Sequence, residues 1–332
     1  MPLSLKGKRI LFFAPRFFGY EQDIASHLIT LGADVVTLPD RPFDSPLMTA
    51  ITRFGTKLII GSATRLYRQM LKQIGWSNCD MVLVVSGQTV SKEFLIELRT
   101  AYPSAKFILY MFDSTHNRSA VVSKLTLFDH CFTFDVDDSK KYGIKFRPLF
   151  STSGFERPAQ STFNYHMSFI GTAHTDRYAV ISKVAENMTP ARQCYWYLFL
   201  QAPWVFYAYK ITNPAFKHAR IDTFRFTPLS KSQVQEIFFK SFSILDVEHP
   251  QQTGLTMRTF ETIGANKKLV TTNQRIREYD FFDSQNICVI DREHPKLSED
   301  FFNFPYKPLN ESLYDKYRLS SWTEEVLSPA LM

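Results

Sequence analysis

The stretch Phe242-Ser-Ile-Leu-Asp-Val-Glu-His-Pro-Gln-Gln-Thr-Gly-Leu-Thr-Met-Arg-Thr-Phe-Glu-Thr-Ile-Gly-Ala-Asn-Lys-Lys-Leu-Val-Thr-Thr272 decides the fold. Its apolar run Phe242 to Val247 suits a strand covered on both faces, the habit of a parallel sheet. Thr253-Gly254 can then cap a helix whose unbonded N–H groups and positive dipole end attract anions. Arg258 and Glu261 are three positions apart and share one face of that helix, while Leu255, Thr259, Phe260 and Ile263 supply its packing face. Gly264 stops the helix, and Lys268 to Thr272 returns to the sheet. An arginine there can neutralise a diphosphate. A carboxylate one turn on can accept hydrogen bonds from ribose or sugar hydroxyls, so a phosphorylated ligand is expected.

An earlier stretch repeats the form. His166-Met-Ser-Phe-Ile170 reads as a short strand, and Gly171-Thr-Ala-His-Thr-Asp-Arg177 as a turn opening the helical stretch Tyr178 to Asn187. A lone glycine turn before a helix is common in α/β proteins, so this stretch gains weight only beside the Arg258 helix.

Together these residues carry a resemblance. Arg258-Thr-Phe-Glu261, the small-residue turn Gly264-Ala265 and the strand Leu269-Val-Thr-Thr272 resemble the donor-site helix of GT-B glycosyltransferases, in particular the spore-maturation and bacterial surface-polysaccharide (group 1) enzymes. The resemblance implies an α/β protein of two Rossmann-like doubly wound domains facing across a cleft, with a C-terminal helix crossing back to the first domain. It implies that Gly171, Thr172 and Arg177 face the donor phosphates, together with Thr253, Gly254, Arg258 and Glu261. The family often carries two glutamates eight positions apart around this helix; here Glu261 matches the second, and Thr253 occupies the place of the first. The implied activity is transfer of a sugar from a nucleotide-sugar donor, a co-substrate and not a resident cofactor, to a glycan or lipid-linked acceptor in bacterial surface polysaccharide or lipopolysaccharide synthesis. Two readings stand beside it. A GT-B-like sugar-nucleotide epimerase would use the same phosphate site, and a non-catalytic nucleotide-sugar-binding protein would use the cleft without chemistry.

The rest of the chain alternates in the same way. Lys8 to Ala14, Asp34 to Leu38, Met81 to Ser86, Lys106 to Phe112, Cys131 to Phe134 and Ile144 to Leu149 read as strands. Between them lie helices Glu21 to Leu31, stopped by Gly32, Ser91 to Thr100, capped by Ser91, and Ser119 to Leu127. Residues 1–151 form the expected N-terminal acceptor domain, 152–165 a linker, 166–305 the donor domain, and 306–332 a helical tail packing back on the first domain. Within the tail the helical run is Glu311 to Val326.

Transfer needs an acceptor hydroxyl positioned or deprotonated, and open α/β sheets present ligands at the C-terminal ends of their strands. Asp113 follows such a strand and is the candidate base; the competing reading is a turn or cap aspartate. Tyr20, Glu21, Gln88 and His116 are candidates for the acceptor cleft. Asp135-Val-Asp-Asp138 contains the aspartate-x-aspartate pattern that holds a metal in GT-A glycosyltransferases. The favoured reading is that Asp135 ends a strand while Asp137 or Asp138 caps a helix from Ser139 to Tyr142, so no metal site is expected.

Composition sets outer bounds. A chain of 332 residues exceeds a single core and points to two domains. Residues 1–150 carry 19 Lys and Arg against 13 Asp and Glu, and the remainder 20 against 19, so the basicity belongs to the first half. No nucleic-acid module accompanies it. Arg65, Arg68 and Lys72 share one side of a predicted helix and suit an anionic membrane surface or plain solvent. Cys79, Cys131, Cys194 and Cys288 form no metal or redox motif, and reduced core thiols are expected. The short run Ile10 to Ala14 is a first strand, not a signal peptide, and no stretch approaches a membrane span. A cytoplasmic enzyme, peripheral on the inner face of the cell membrane, is the expectation.

Overall fold

The computed structural model describes residues 3–40, 56–116, 119–157 and 162–331, in two compact units: Met1–Pro148 with Leu319–Met332, and Leu149–Arg318. The first unit runs β1 (Arg9–Ala14), α1 (Tyr20–Thr30), β2 (Asp34–Pro39), α2 (Thr56–Ile74), β3 (Met81–Val85), α3 (Lys92–Ala101), β4 (Lys106–Met111), β5 (His130–Thr133), α4 (Val136–Tyr142) and β6 (Lys145–Phe146). Its strands form one parallel sheet in the order β2-β1-β3-β4-β5-β6. The central strands are apolar at nearly every position because helices cover both faces, and β3 is buried throughout. Phe13, Tyr67 and Phe94 interlock, with Phe13 edge-on to Tyr67 at 5.5 Å and Tyr67 stacked on Phe94 at 5.3 Å.

Local chemistry sets the element ends. Ser91 caps α3 as expected, its hydroxyl accepting from the Phe94 N–H at 3.1 Å. Residues 119–127 wind as a 3-10 helix and not the expected α-helix. Asp135, expected only to end a strand, is the N-cap of α4, accepting from the N–H groups of Asp137 (2.9 Å) and Asp138 (3.1 Å). Asp138 is itself spent on Thr115, accepting from its N–H at 2.7 Å. The helix therefore starts three residues before Ser139. Burial pushes the Cys131 and Cys194 thiols up to about 11, as inert core thiols require.

The second unit runs β7 (Tyr165–Thr172), α5 (Arg177–Glu186), β8 (Cys194–Phe199), α6 (Pro203–Thr212), β9 (Phe224–Arg225), α7 (Lys231–Phe239), β10 (Ser241–Asp246), α8 (Met257–Gly264), β11 (Lys268–Thr271), β12 (Ile287–Val289), α9 (Glu299–Asn303) and α10 (Glu311–Lys316). Its sheet is also wholly parallel, ordered β12-β11-β10-β7-β8-β9. The chain reverses direction of build between β7 and β10, which are neighbours. In a doubly wound sheet that is the point where flanking loops diverge and leave a crevice.

Residues 149–157, which include the first six residues of the expected linker (152–165), belong to the second unit. Phe155 is buried edge-on to Phe238 at 5.2 Å, and the Ser151 N–H donates to the Tyr317 carbonyl at 2.7 Å. Residues 158–161 of that stretch lie outside the described residues. The helical run from Glu311 is two helices, α10 and α11 (Leu319–Leu327). Between them Tyr317 stacks on Phe260 at 5.5 Å and donates its hydroxyl to Asp280 at 2.6 Å, holding residues up to Arg318 in the second unit. α11 belongs to the first unit, where Trp322 is fully buried edge-on to Tyr110 at 4.8 Å. No helix among the described residues is long and apolar enough to cross a membrane.

Candidate functional site

Two uncapped helices meet the switch point of the second sheet. β7 ends at Gly171-Thr172 and leads through a tight turn into α5, and β10 ends at Asp246 and leads through a longer loop into α8. Neither helix has a side-chain cap at its N-terminus. The residues standing at the cap positions are engaged elsewhere: Asp176 accepts from Arg292 Nη1 at 2.7 Å, and the Thr256 hydroxyl donates to Asp246 at 2.7 Å. Thr259 donates to the same Asp246 oxygen at 2.9 Å. Two helix ends with N–H groups uncapped by side chains, at the C-terminal edge of neighbouring parallel strands, make a surface suited to an anion.

Arginines bind the two strand ends together. Arg177 donates from Nε to the Val247 carbonyl at 2.7 Å and from Nη1 to the Thr172 carbonyl at 3.4 Å, so it bridges from β7 to β10. Arg258 donates from Nη2 to the Ile170 carbonyl at 3.1 Å and from Nη1 to Glu261 at 3.0 Å, with its guanidinium over the Phe238 ring at 4.9 Å. Burial lowers the proton affinity of Arg177; the nearby Arg258 acts in the same sense and Asp246 opposes it. An arginine stays charged regardless, so Arg177 brings a positive charge to this edge, with Asp246 and Glu248 as the acids near it. Thr175 in the β7–α5 turn has φ 57°, a strained value for a β-branched residue, and its carbonyl is held by the Asn213 amide at 2.8 Å.

The expected donor residues fall at this edge, with one displacement. Gly171 and Thr172 end β7, Arg177 opens α5, and Arg258 and Glu261 lie on α8. Thr253 and Gly254 were expected to cap the helix, but its N-cap is Thr256. They lie in the preceding loop, where the Thr253 carbonyl accepts from the Asn273 amide at 3.3 Å and the Gly254 carbonyl from Gln252 at 3.0 Å. The cause is Asp246, which draws Thr256 and Thr259 to the end of β10 and starts the helix later. Arg258 consequently sits in the first turn of α8, and Glu261 is buried beneath it.

Sequence reading passed over Asp246, Glu248 and Arg292. Arg292 donates from Nη2 to Glu248 Oε1 at 2.7 Å as well as pairing with Asp176, linking the loops after β7, β10 and β12. Burial pushes the Glu248 carboxyl up, against hydrogen bonds from Thr272 and Arg292. The two acids of Asp246-Val-Glu248 follow a buried strand directly, which was the available signal; Arg292 is visible only in three dimensions.

In the first unit, Asp113 is half-buried after β4, and His116 is exposed. Gln88 follows β3, and its N–H donates to Asp40 at 2.7 Å. The buried Asp40 also accepts from the Thr89 N–H at 2.8 Å, and Lys124 donates to the Gly87 carbonyl at 2.6 Å, so the turn after β3 is fixed from both sides. Tyr20 and Glu21 do not present themselves as expected. Tyr20 is buried, and the Glu21 carboxylate accepts from the Phe17 N–H at 3.1 Å, shaping the loop after β1. That loop exposes Arg16, Phe17 and Phe18, and the two rings pack edge-on at 4.6 Å.

Among solved structures the chain is similar to a glycosyltransferase from Rickettsia africae ESF-5, at 12% identity over 98% of each chain with a TM-score of 0.58. It is similar to AviGT4, a glycosyltransferase involved in avilamycin A biosynthesis, at 11% identity over 98% of this chain and 97% of that one, with a TM-score of 0.60. HepE from Anabaena, solved in complex with UDP and glucose, matches at 10% identity over 96% and 95% of the two chains, with a TM-score of 0.50. No family model matches the sequence, and no curated protein does. At these identities the likeness is one of fold: two Rossmann-like domains built on parallel six-stranded sheets, the GT-B fold expected from the Arg258 motif.

Proposed function

We propose that the protein is a glycosyltransferase that takes a sugar from a nucleotide-sugar donor and passes it to a glycan or lipid-linked acceptor in bacterial surface polysaccharide or lipopolysaccharide synthesis. The observation that carries the reading is the pair of uncapped helix ends at the β7–β10 switch point, with Arg177 and Arg258 beside them. Transfer breaks the bond between the anomeric carbon and the donor diphosphate, and the leaving diphosphate must be stabilised as it departs. Arg177, Arg258 and the two helix ends supply positive potential for this without a metal. Gly171 and Thr172 allow close approach at the end of β7, and Thr253 and Gly254 border the same edge. Glu261 is assigned to the ribose hydroxyls. HepE, with its bound UDP and glucose, supports a uridine nucleotide as the first donor to try.

Asp113 is the proposed base for the acceptor hydroxyl, with Gln88 and His116 as acceptor contacts beside Phe17 and Phe18. A cytoplasmic setting at an anionic membrane surface belongs to the same reading, because a lipid-linked acceptor would lie there. Incubation with a panel of nucleotide sugars tests it. Slow release of nucleoside diphosphate and free sugar is expected; interconversion of donor sugars would point to an epimerase, and binding without turnover to a non-catalytic module.

A further inference from the structure

α6 buries one face and leaves a second apolar face in solvent. Its inner side packs Phe206 against Phe224 at 5.4 Å and Tyr209 against Phe216 at 5.1 Å. On its outer side Trp204, Tyr207 and Ile211 follow at helical spacing and are 70%, 57% and 87% exposed. Ile221, beyond the helix, is partly exposed as well. A helix at the surface of a soluble unit carries polar residues on its outer side. Here the helix is apolar on both sides.

Within the segment that carries the helix, charge is of one sign. Residues 201–221 contain no Asp or Glu, whereas Lys210 and Lys217 are exposed, and Arg220 pairs with Asp222 just beyond. The Lys210 ammonium lies 5.6 Å from the ring of Phe206, on the inner side of the helix.

We propose that this face of α6 docks on an anionic lipid bilayer. Trp204 and Tyr207 are the side chains that settle at headgroup depth, having large apolar bodies and one polar atom each. Ile211 enters the acyl boundary, while Lys210 and Lys217 meet lipid phosphates. A second copy of the chain fits the face less well. The three side chains offer roughly 400–500 Å², about half of the ~800 Å² that each partner contributes to a standard interface. A two-fold contact through the face would also bring like-charged lysines together.

The basic side of α2 is the competing membrane contact, and part of its charge is already used. Arg68 donates to Glu97 from Nε at 2.8 Å and again from Nη2.

The test uses the full chain and needs neither donor nor acceptor, so its outcome is independent of the catalytic reading. Co-sedimentation is measured with vesicles of phosphatidylcholine alone and of phosphatidylcholine with phosphatidylglycerol. Binding is expected only to the second kind, weakened by salt, with a blue shift of tryptophan emission. Combined Trp204→Ser, Tyr207→Ser and Ile211→Ser should weaken it about tenfold or more, because buried apolar area drives interfacial binding. Thermal unfolding should be unchanged, since all three side chains are exposed. Trp204→Phe should still bind but lose most of the blue shift. Arg65→Ser, Arg68→Ser and Lys72→Ser together should change binding by no more than about threefold. Undiminished binding by the α6 variant, or loss of binding in the α2 variant alone, would overturn the proposal. So would absence of vesicle binding, including a wild-type dimer that the α6 substitutions convert to monomer.

Discussion

Arg258 and Glu261 form an ion pair at 3.0 Å across one turn of α8, and the carboxylate is its buried member: the Glu261 side chain is 3% exposed and that of Arg258 21%. The pair links the candidate donor arginine to the stability of the second unit. Arg258→Ala would take a cationic partner from a buried carboxylate and also release the Ile170 carbonyl, at a cost of about 3 kcal/mol. The double variant Arg258→Met, Glu261→Gln should recover most of that, since the buried charge is removed together with its cation. Urea unfolding of the two proteins measures the difference. Equal midpoints for wild type and Arg258→Ala would mean that the pair does not hold in solution.

Lys267 gives a pH signature. Burial lowers its pKa to about 8, from an ordinary value of 10.5, while it donates to the Phe239 carbonyl at 2.8 Å. Between those values the unfolded chain holds a proton that the folded chain has lost, so stability rises with pH. The gain is complete above the unfolded pKa and lost as pH falls through about 8. The full span is worth roughly 3 kcal/mol. Thermal unfolding of wild type and Lys267→Met from pH 7 to 10 isolates this group. Wild type should gain stability relative to Lys267→Met as pH rises above about 8, and a difference that stays constant to pH 10 would count against the assignment.

Asp135 separates a cap from a metal ligand. As the N-cap of α4, it accepts from two backbone N–H groups, and its replacement by Ala should cost about 1 kcal/mol. Turnover should be indifferent to chelator in wild type and variant alike. Activity lost in chelator and restored by magnesium or manganese would move this aspartate from capping to catalysis.

Strands were legible because burial on both faces writes itself as unbroken apolar runs: Met81 to Val85 and Lys106 to Met111 needed no tertiary information. Helix starts were less so. Thr253-Gly254 has good capping chemistry, yet the carboxylate of Asp246, seven positions earlier, moved the start to Thr256. Asp135 outcompeted Asp137 and Asp138 for α4 by the same kind of local rivalry. Of the candidate site, Arg177 and Arg258 were readable as cations beside predicted helix starts. Their convergence was not, because it depends on β7 and β10 lying side by side. The aromatic loop after β1 misled for a different reason. Phe17, Phe18 and Tyr20 are alike in sequence, and only the turn shaped by Glu21 decides which are exposed.

Calorimetric titration with nucleoside diphosphates, uridine diphosphate first, on wild type and Arg177→Ala tests the central claim most directly. Arg177 bridges the two strand ends where the donor diphosphate is assigned. Loss of one charge-assisted contact there is worth about 1.5–3 kcal/mol, roughly a tenfold to hundredfold change in affinity. The account predicts saturable binding of a nucleoside diphosphate to wild type and a loss of that size in a folded Arg177→Ala protein. Binding of no nucleoside diphosphate, or equal affinity in the two proteins, would contradict it.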